Sequence, residues 1–409
     1  MLATLIPLFD AKMFVSAYSV FAQKDNYFLN PGMNGTNRLD GAGNVAGLEL
    51  VNNLGLETVS SDKMVFIEMN NISVFAPLDE QCKAPHEQIV LLMDHTITPV
   101  DKYVGRLQEL KQQKYKLAIR KLAVEDFEKY KDVLKLMDYI LLESKKIKIE
   151  VAKVYFSKQY PNIKLLAVNV DSQEAYEKLA ANGGYDMYEG PFFRLPIEKG
   201  VREIAPLKVN YIELLNVVNA SDYDLSDAAS VLGRDAALVI SLLEMVNRMT
   251  LKGGVQSVNH AAAMLGQKEL KKWINTAITK ELLADKPTEI MRMSMIRAKF
   301  AENLAKTFEL ANMSQELFLT GLFSVLDLML DKPMKEALDM VHVDKIISDA
   351  LVAKTGALYP VMNFIYEYEN ASWQEVSRLM VLGGYDMNTV YDAYVDSLKW
   401  YRDLFPSKK

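Results

Sequence analysis

The sequence contains little cysteine and little histidine: among 409 residues there are one cysteine, Cys82, and four histidines. A single cysteine cannot form an intramolecular disulfide, and such scarcity is typical of proteins in a reducing compartment. We therefore predict a cytoplasmic protein in which Cys82 is a bystander thiol. The nearest histidine, His86, lies in a proline-containing loop with no recognisable catalytic triad around it.

Long apolar runs and an excess of positive charge are also missing. No run of 18 apolar residues occurs, so the sequence predicts no membrane-spanning helix. The apolar segment 1–23 is interrupted by Asp10 and Lys12 and lacks a basic stretch, so we do not expect a signal peptide. The formal net charge is −6, whereas general binders of nucleic acid or anionic membranes need a basic face. We expect neither partner.

Residues 1 to about 196 alternate between short apolar runs and helical patterns. The apolar runs, which predict buried strands, are 63–69, 87–93, 115–119, 138–142 and 163–170. Helical patterns lie between them at 100–114, 124–136, 145–159 and 172–182. This alternation predicts a largely parallel sheet covered on both faces. Seven or eight such units would suit a barrel and fewer an open sheet, and periodicity alone does not decide.

From about residue 208 to residue 404 only helical patterns occur. The change of character falls in the segment 197–207, where Gly200 and Pro206 break both patterns. We therefore predict two domains, an α/β domain at residues 1–200 and an all-α domain at residues 201–409.

Four segments carry a family resemblance. "APLKVNYIELL" (205–215), "AAMLGQKELKKWI" (262–274) and "LFLTGLFSVLDLMLDKPM" (317–334) resemble an HDOD domain, and "GGYDMYEGPFF" (183–193) resembles the last strand of an EAL barrel. The chain thus resembles the EAL-HDOD proteins, in which a barrel related to cyclic di-GMP phosphodiesterases precedes a helical HDOD module. The resemblance implies a TIM-like (β/α) barrel of EAL type followed by an HDOD helical bundle.

EAL enzymes hydrolyse their substrate with divalent metal held by carboxylates and one amide oxygen. The resemblance places Arg120 and Lys121, in "YKLAIRKLAVEDF", at the family's two adjacent aspartates. Cations there oppose the binding of Mg²⁺ or Mn²⁺. The name-giving glutamate falls on Ser19, or on Tyr18 or Val20 if the alignment shifts by one residue.

The same resemblance assigns the remaining family positions. Glu68 stands at the position of the metal-binding asparagine, Leu91 at a glutamate and Leu141 at the lysine. Val168 stands at a later glutamate, Glu189 at the glutamine and Gln23 at a ligand-binding arginine. The acids that remain at or near these positions are Glu68, Glu143, Asp171 and Glu189. Asp94 and His95 follow Leu91, but residues on one face of a strand lie two apart, which opposes Asp94 as a substitute. We expect Arg120 and Lys121 to pair with Glu68 or Glu143 in place of metal.

The helical half lacks the His-Asp dipeptide on which the related HD phosphohydrolases bind metal. Its two histidines, His260 and His342, are far apart in sequence. The resemblance therefore implies a helical surface suited to protein recognition.

These observations predict no catalytic, cofactor-binding or metal-binding residue and no cofactor. We expect a bacterial signalling protein that is not an enzyme, with a protein partner on the helical domain and a homodimer as one option. The resemblance implies contexts such as motility. Two alternatives remain: a cyclic di-GMP receptor that uses Arg120 and Lys121 as phosphate clamps, or a metal-dependent phosphodiesterase that uses Glu68, Glu143 and Asp171.

Overall fold

The structure, a computed structural model, describes residues 1–24, 26, 43–143, 147–197, 206–220, 222–249, 255 and 257–405, without the side chains of residues 149, 150, 206 and 207. The chain divides into two compact units. The barrel unit comprises Met1–Leu195 and Phe364–Lys409, and the helical unit comprises Pro196–Asn363. Most of the predicted boundary segment 197–207, namely residues 198–205, lies outside the described residues.

The barrel unit contains a closed barrel of eight strands that follow one another in chain order. The strands are β1 (Leu2–Phe9), β2 (Val15–Gln23), β3 (Met64–Glu68), β4 (Ile89–Met93), β5 (Lys116–Arg120), β6 (Tyr139–Glu143), β7 (Lys164–Val168) and β8 (Met187–Tyr188). β1 is antiparallel to β2 and β8, and all other neighbours are parallel. The choice that periodicity left open is thereby decided in favour of a barrel.

All five strands predicted from apolar runs are present, with ends that differ by no more than two residues. β8 was expected only from the resemblance. β1 and β2 were not predicted, because the segment 1–23 reads as one apolar stretch without the helix that normally separates two strands of a barrel. These two strands are antiparallel, so a tight connection at residues 10–14 is sufficient to join them.

Apolar side chains fill the barrel interior. The interior cluster consists of Leu8, Ala17, Phe66, Val90, Leu92, Ala118, Tyr139, Leu141, Leu166, Val168 and Met187. Cluster members lie opposite one another across neighbouring strands, as with Phe66 and Val90 or Leu92 and Ala118. Because successive side chains of a strand point to opposite faces, membership of this cluster identifies the inward-facing position of each strand.

Helices follow most of the strands. In the first 195 residues they are α1 (Ala46–Ser60), α2 (Leu78–Gln81), α3 (Asp101–Gln112), α4 (Lys131–Leu134), α5 (Ile149–Gln159) and α6 (Gln173–Asn182). The prediction of a helix at 124–136 was largely wrong, since only a short 3₁₀ turn and the four residues of α4 are helical there. α1 and α2 were not predicted.

The later part of the chain is helical, and from residue 206 onward the described residues contain no strand. The helices are α7 (Pro206–Asn219), α8 (Leu225–Leu232), α9 (Ala236–Met249), α10 (Val258–Leu282), α11 (Thr288–Leu304), α12 (Ser314–Phe323), α13 (Leu326–Leu330), α14 (Met334–Met340), α15 (Lys345–Ser348), α16 (Tyr359–Glu369), α17 (Trp373–Gly383) and α18 (Met387–Leu404). Gly266, with φ of 75°, interrupts the helical backbone of α10.

The carboxyl-terminal segment packs within the barrel unit. The backbone N–H of Ala3 donates a hydrogen bond to the hydroxyl of buried Tyr368 at 3.2 Å. The amide of Gln23 donates to Ser377 at 3.2 Å. The domain limits 1–200 and 201–409 stay a prediction, whereas the compact units place residues 364–409 with the barrel.

Close backbone contact between α11 and α12 organises the helical unit. Gly321 lies at the crossing, where an added Cβ would come within 2.6 Å of the backbone of Arg297 and Ala298. Helices approach this closely only where one of them lacks a side chain at the contact. The glycine therefore fixes the spacing of this pair.

Candidate functional site

The carboxyl ends of β2 to β8 meet at one end of the barrel, which we call the mouth. β2 ends at Gln23, β3 at Glu68, β5 at Arg120 and β6 at Glu143. In barrels of parallel strands this end carries the functional residues, because the loops that follow the strands converge there. The predicted site residues at the ends of these strands therefore meet at the mouth.

Alternation places several of these residues in the barrel interior. Ser19 lies two residues after Ala17, Glu68 two after Phe66, and Arg120 two after Ala118, and each predecessor belongs to the interior cluster. Ser19 is the inward-facing residue among the three alignments considered for the name-giving glutamate. Its hydroxyl donates to a carboxylate oxygen of Glu189 at 3.3 Å.

Arg120 and Glu68 form an ion pair at the mouth, with Nη2 of the guanidinium donating to Oε1 of the carboxylate. The pairing of Arg120 with Glu68 is thus confirmed. Burial lowers the pKa of Arg120, and the nearby Glu189 carboxylate acts in the opposite direction. A guanidinium stays protonated in proteins, so a permanent positive charge lies at the mouth.

Glu189 lies just beyond the end of β8, at the mouth. Burial raises the pKa of its carboxyl group above the usual range, while Arg120 and the Ser19 hydroxyl oppose that shift. The carboxyl group is therefore easier to protonate than an exposed glutamate. Ser19, Glu189, Arg120 and Glu68 form one electrostatically linked group.

A first mouth cavity of about 330 Å³ lies beside Arg120. Its lining comes from the carboxyl ends of the strands and from the start of α1, and it includes Lys24, Gly47, Glu68, Asn70, Asp94 and Arg120. The guanidinium of Arg120 also lies over the ring of Phe21, 5.5 Å from its centroid. Two cations and the N-terminus of α1 thus border one cavity, and each of these features favours an anion.

A second mouth cavity of about 410 Å³ is lined by Lys121, together with His95, Leu141 and Glu143. Lys121 comes directly after β5 and has φ of 59°, in the left-handed region. This conformation directs the chain away from the strand, so the adjacent cations Arg120 and Lys121 border different cavities. Sequence adjacency alone did not predict this division.

The placement of the β4 position was wrong. Leu91 lies opposite Ile67 in the sheet, whereas Leu92 lies opposite Glu68 and belongs to the interior cluster. Leu92 is therefore the inward-facing residue. The argument from strand alternation against Asp94 is therefore also wrong, because Asp94 lies two residues after the inward-facing Leu92. Asp94 lines the first mouth cavity.

The other predicted positions are not all brought together. Leu141 and Val168 belong to the interior cluster. Asp171 is exposed beyond the end of β7, and Gln23 is buried and bonded to Ser377. Asp94 accepts hydrogen bonds from the backbone and side chain of Thr96, which shapes the loop after β4.

Within the described part of the chain, no group of three or more histidine, cysteine, aspartate or glutamate side chains is placed to hold a metal ion. In the helical unit, His260 is exposed, and its backbone N–H donates to the Ser257 hydroxyl at 3.2 Å. His342 lines a cavity in that unit. Of the described helices, none has both the length and the apolar character that a membrane crossing requires.

Sequence reasoning missed Lys24 and the start of α1. Lys24 follows β2, and its ammonium group lies 3.4 Å from the Glu49 carboxylate. Neither feature belongs to a quoted family motif. The one available signal was positional, because residues just after barrel strands converge at the mouth.

Comparison with known proteins supports the predicted architecture. Residues 204–342 match the family model of the HDOD domain. The chain is 25% identical over 332 residues to the cyclic di-GMP phosphodiesterase CdgJ of Vibrio cholerae serotype O1, covering 78% of this chain and 74% of the relative. It is also 25% identical over 370 residues to YuxH of Bacillus subtilis strain 168, covering 87% and 88%.

A solved structure of an EAL domain protein from Listeria monocytogenes covers 47% of this chain and 86% of its own, at 17% identity and a TM-score of 0.35. The predicted fold class, a barrel followed by an HDOD helical domain, is confirmed by the strands and by the HDOD match. The chain is related to cyclic di-GMP signalling proteins.

The prediction that this chain is not an enzyme was wrong. It depended on residue-by-residue placement by resemblance, and one of those placements, Leu91, fell on the wrong face of its strand. The finding that contradicts it is the similarity to CdgJ, which is named a phosphodiesterase and hence an enzyme.

Proposed function

We propose that the barrel binds cyclic di-GMP across its mouth, with Arg120 and Lys121 each facing one half of the ligand. The observation that carries this proposal is the division of two adjacent cations between two cavities of about 330 and 410 Å³. Cyclic di-GMP has two phosphodiesters and two guanosine halves, so its anionic groups are also paired. The relation to cyclic di-GMP signalling proteins supports this choice of ligand.

Arg120 is the stronger of the two anchors. A guanidinium offers a planar array of donors that matches phosphate oxygens. It is already oriented by Glu68 and by the Phe21 ring, so little side-chain freedom is lost on binding. Lys24 and the N-terminus of α1 add positive potential to the same cavity.

Binding requires Arg120 to share its donors between Glu68 and a phosphate. Glu189 opposes this, because its charged form attracts the same guanidinium. Protonation of Glu189 removes that competition, and burial already raises its pKa. The acids at the mouth therefore adjust the affinity for the ligand.

Calorimetric titration of the full chain with cyclic di-GMP tests this proposal. We expect one ligand per chain and binding about 100-fold tighter than that of guanosine monophosphate, since only the dinucleotide reaches both cavities. Saturating ligand should also raise the melting temperature by mass action. Absence of heat and of any thermal shift would refute the proposal.

A second function, hydrolysis of cyclic di-GMP, is favoured by the similarity to CdgJ, which is named for that activity. The described carboxylates at the mouth do not fit a divalent-metal site, because Glu68 is held by Arg120. We therefore derive no step through a metal. Chromatography of products after incubation of the full chain with cyclic di-GMP, in Mg²⁺ or Mn²⁺ and again in chelator, tests this function: the linear dinucleotide should form, and its absence under all of these conditions would refute hydrolysis.

The helical unit is proposed to bind a protein partner. An all-helical HDOD domain offers exposed helical faces, as other peptide-recognising folds do. A cytoplasmic location, a homodimer and a role in motility also stay predictions. Affinity capture with the full chain, compared with a variant altered on an exposed face of α9 such as Ile240→Glu, tests the partner.

A further inference from the structure

The helical unit has a cavity of its own, of about 460 Å³. Its lining comes from the end of α7, the middle of α10, the start of α12 and the segment around α15. This volume is within the range of roughly 300–1,000 Å³ that is usual for small-molecule sites. The lining is rich in charged and amide side chains, so an apolar ligand is a poor fit.

Two lysines one helical turn apart, Lys268 and Lys271, line this cavity. Residues three apart on a helix lie on the same face, so both lysines extend from one face of α10. In the part of the chain that the structure describes, neither lysine has a salt-bridge partner within 4.0 Å. The next lysine, Lys272, differs, because it is paired with Glu302 at 2.7 Å.

Lys271 is the more enclosed of the two. Burial lowers the pKa of its ammonium group, and the carboxylates of Glu316 and Asp344 act in the opposite direction. Both acids line the cavity as well. The cavity therefore has two cationic groups on α10 and two carboxylates, on Glu316 of α12 and on Asp344 just before α15.

We propose that this cavity binds a phosphorylated small molecule whose phosphate lies between Lys268 and Lys271 and whose hydrogen-bond donors face Glu316 and Asp344. A phosphate monoester carries close to two negative charges at neutral pH, which matches two ammonium groups better than a carboxylate does. Asp344 already accepts a hydrogen bond from the Ile346 N–H at 3.1 Å, but the buried Oε2 of Glu316 has no hydrogen-bond partner among the described residues. A bare anion would leave that oxygen without a donor, so a ligand that carries both a phosphate and hydrogen-bond donors fits the lining better.

Neighbouring side chains offer further hydrogen-bonding groups to such a ligand. Gln267 and Gln315 line the cavity with amide groups that can donate and accept. His342 lines it as well, and an imidazole can donate to phosphate. The site is independent of the barrel mouth, since every lining residue belongs to the helical unit.

Titration of the full chain with adenosine monophosphate, ribose phosphate and inorganic phosphate tests this inference. We expect adenosine monophosphate to bind about tenfold or more tightly than inorganic phosphate, because its hydroxyl and amino groups can donate to the carboxylates of Glu316 and Asp344. Ribose phosphate keeps only the hydroxyl donors and should bind with an affinity between the two. Lys271→Met should weaken nucleotide binding about tenfold or more. Asp344→Asn should reduce the preference for the nucleotide over phosphate.

Lys335→Met is the matched control, because Lys335 is exposed on α14 of the same unit and does not line the cavity. It removes the same charge and should leave nucleotide binding unchanged. Thermal melting checks that each variant is folded. Failure of the nucleotide to bind, equal affinity for inorganic phosphate, or binding that is unchanged by Lys271→Met in a folded chain would each overturn the inference.

Discussion

Replacing Arg120 by methionine is the most informative perturbation of the mouth. The change keeps an unbranched apolar stem and removes the guanidinium that contacts Glu68. A hydrogen bond to a charged group contributes about 1.5–3 kcal/mol. Release from Glu68 offsets part of this, by no more than about 1 kcal/mol for a pair that keeps 21% and 35% of its side-chain exposure.

With an offset of about 1 kcal/mol, the expected loss of affinity for cyclic di-GMP is about 0.5–2 kcal/mol, or roughly 2- to 30-fold. The same substitution leaves Glu68 and Glu189 without their cation. It should lower the free energy of unfolding by about 1–3 kcal/mol, between the values usual for exposed and for buried pairs. Calorimetry measures the first quantity and chemical denaturation the second.

Two further variants separate ligand contact from general destabilisation. Glu68→Gln removes the competing carboxylate and keeps Arg120, so it should strengthen binding, by up to about tenfold. Lys129→Met removes an exposed lysine on the barrel that lines neither mouth cavity, and it should have no effect. Weaker binding in Glu68→Gln, or unchanged binding in a folded Arg120→Met, would refute the reasoning.

Three other predictions follow from the described contacts. Affinity for cyclic di-GMP should rise as pH falls through the raised pKa of Glu189, because the carboxylate that competes for the mouth guanidinium becomes neutral; Glu189→Gln should abolish that dependence in pH-resolved titrations. Protonation of Glu189 also contributes to the free energy of unfolding, because a raised pKa means that the folded chain binds the proton more tightly than the unfolded chain. This contribution is present below pH 4.5 and is lost as pH rises from there through the raised pKa. Gly321→Ala should lower the free energy of unfolding by about 2–3 kcal/mol or more, because the added methyl group overlaps the backbone of α11. Gly105→Ala, in α3 with open space around it, should raise the free energy of unfolding by roughly 0.5–1 kcal/mol. Equal denaturation midpoints for the two variants would contradict this prediction. Tyr368→Phe should lower the free energy of unfolding by about 1–3 kcal/mol, because the Ala3 N–H loses its acceptor, and an unchanged denaturation curve would contradict that packing.

Local patterns predicted most of the regular structure. Short apolar runs located β3 to β7, because a strand covered on both faces shows continuous hydrophobicity. Helical periodicity located α3, α5 and α6 and predicted that the later part of the chain is helical. It failed at 124–136, where tertiary context leaves a turn and one short helix.

The arrangement of the mouth could be predicted only in part. The pairing of Arg120 with Glu68 was expected from their opposite charges at two positions that the resemblance assigns to the metal site. The face of β4 did not, because a fully buried strand gives no alternation by which Leu91 and Leu92 could be distinguished. The raised pKa of Glu189 depends on burial by residues distant in sequence, and so does the packing of Tyr368 on Ala3.

A crystal structure of the full chain with bound cyclic di-GMP tests the central claim most directly. We predict that the ligand lies across the mouth, with a phosphate oxygen within hydrogen-bond distance of the Arg120 guanidinium and the second half of the ligand beside Lys121. A ligand bound elsewhere on the barrel, or at the mouth with Arg120 still held only by Glu68, would contradict the account.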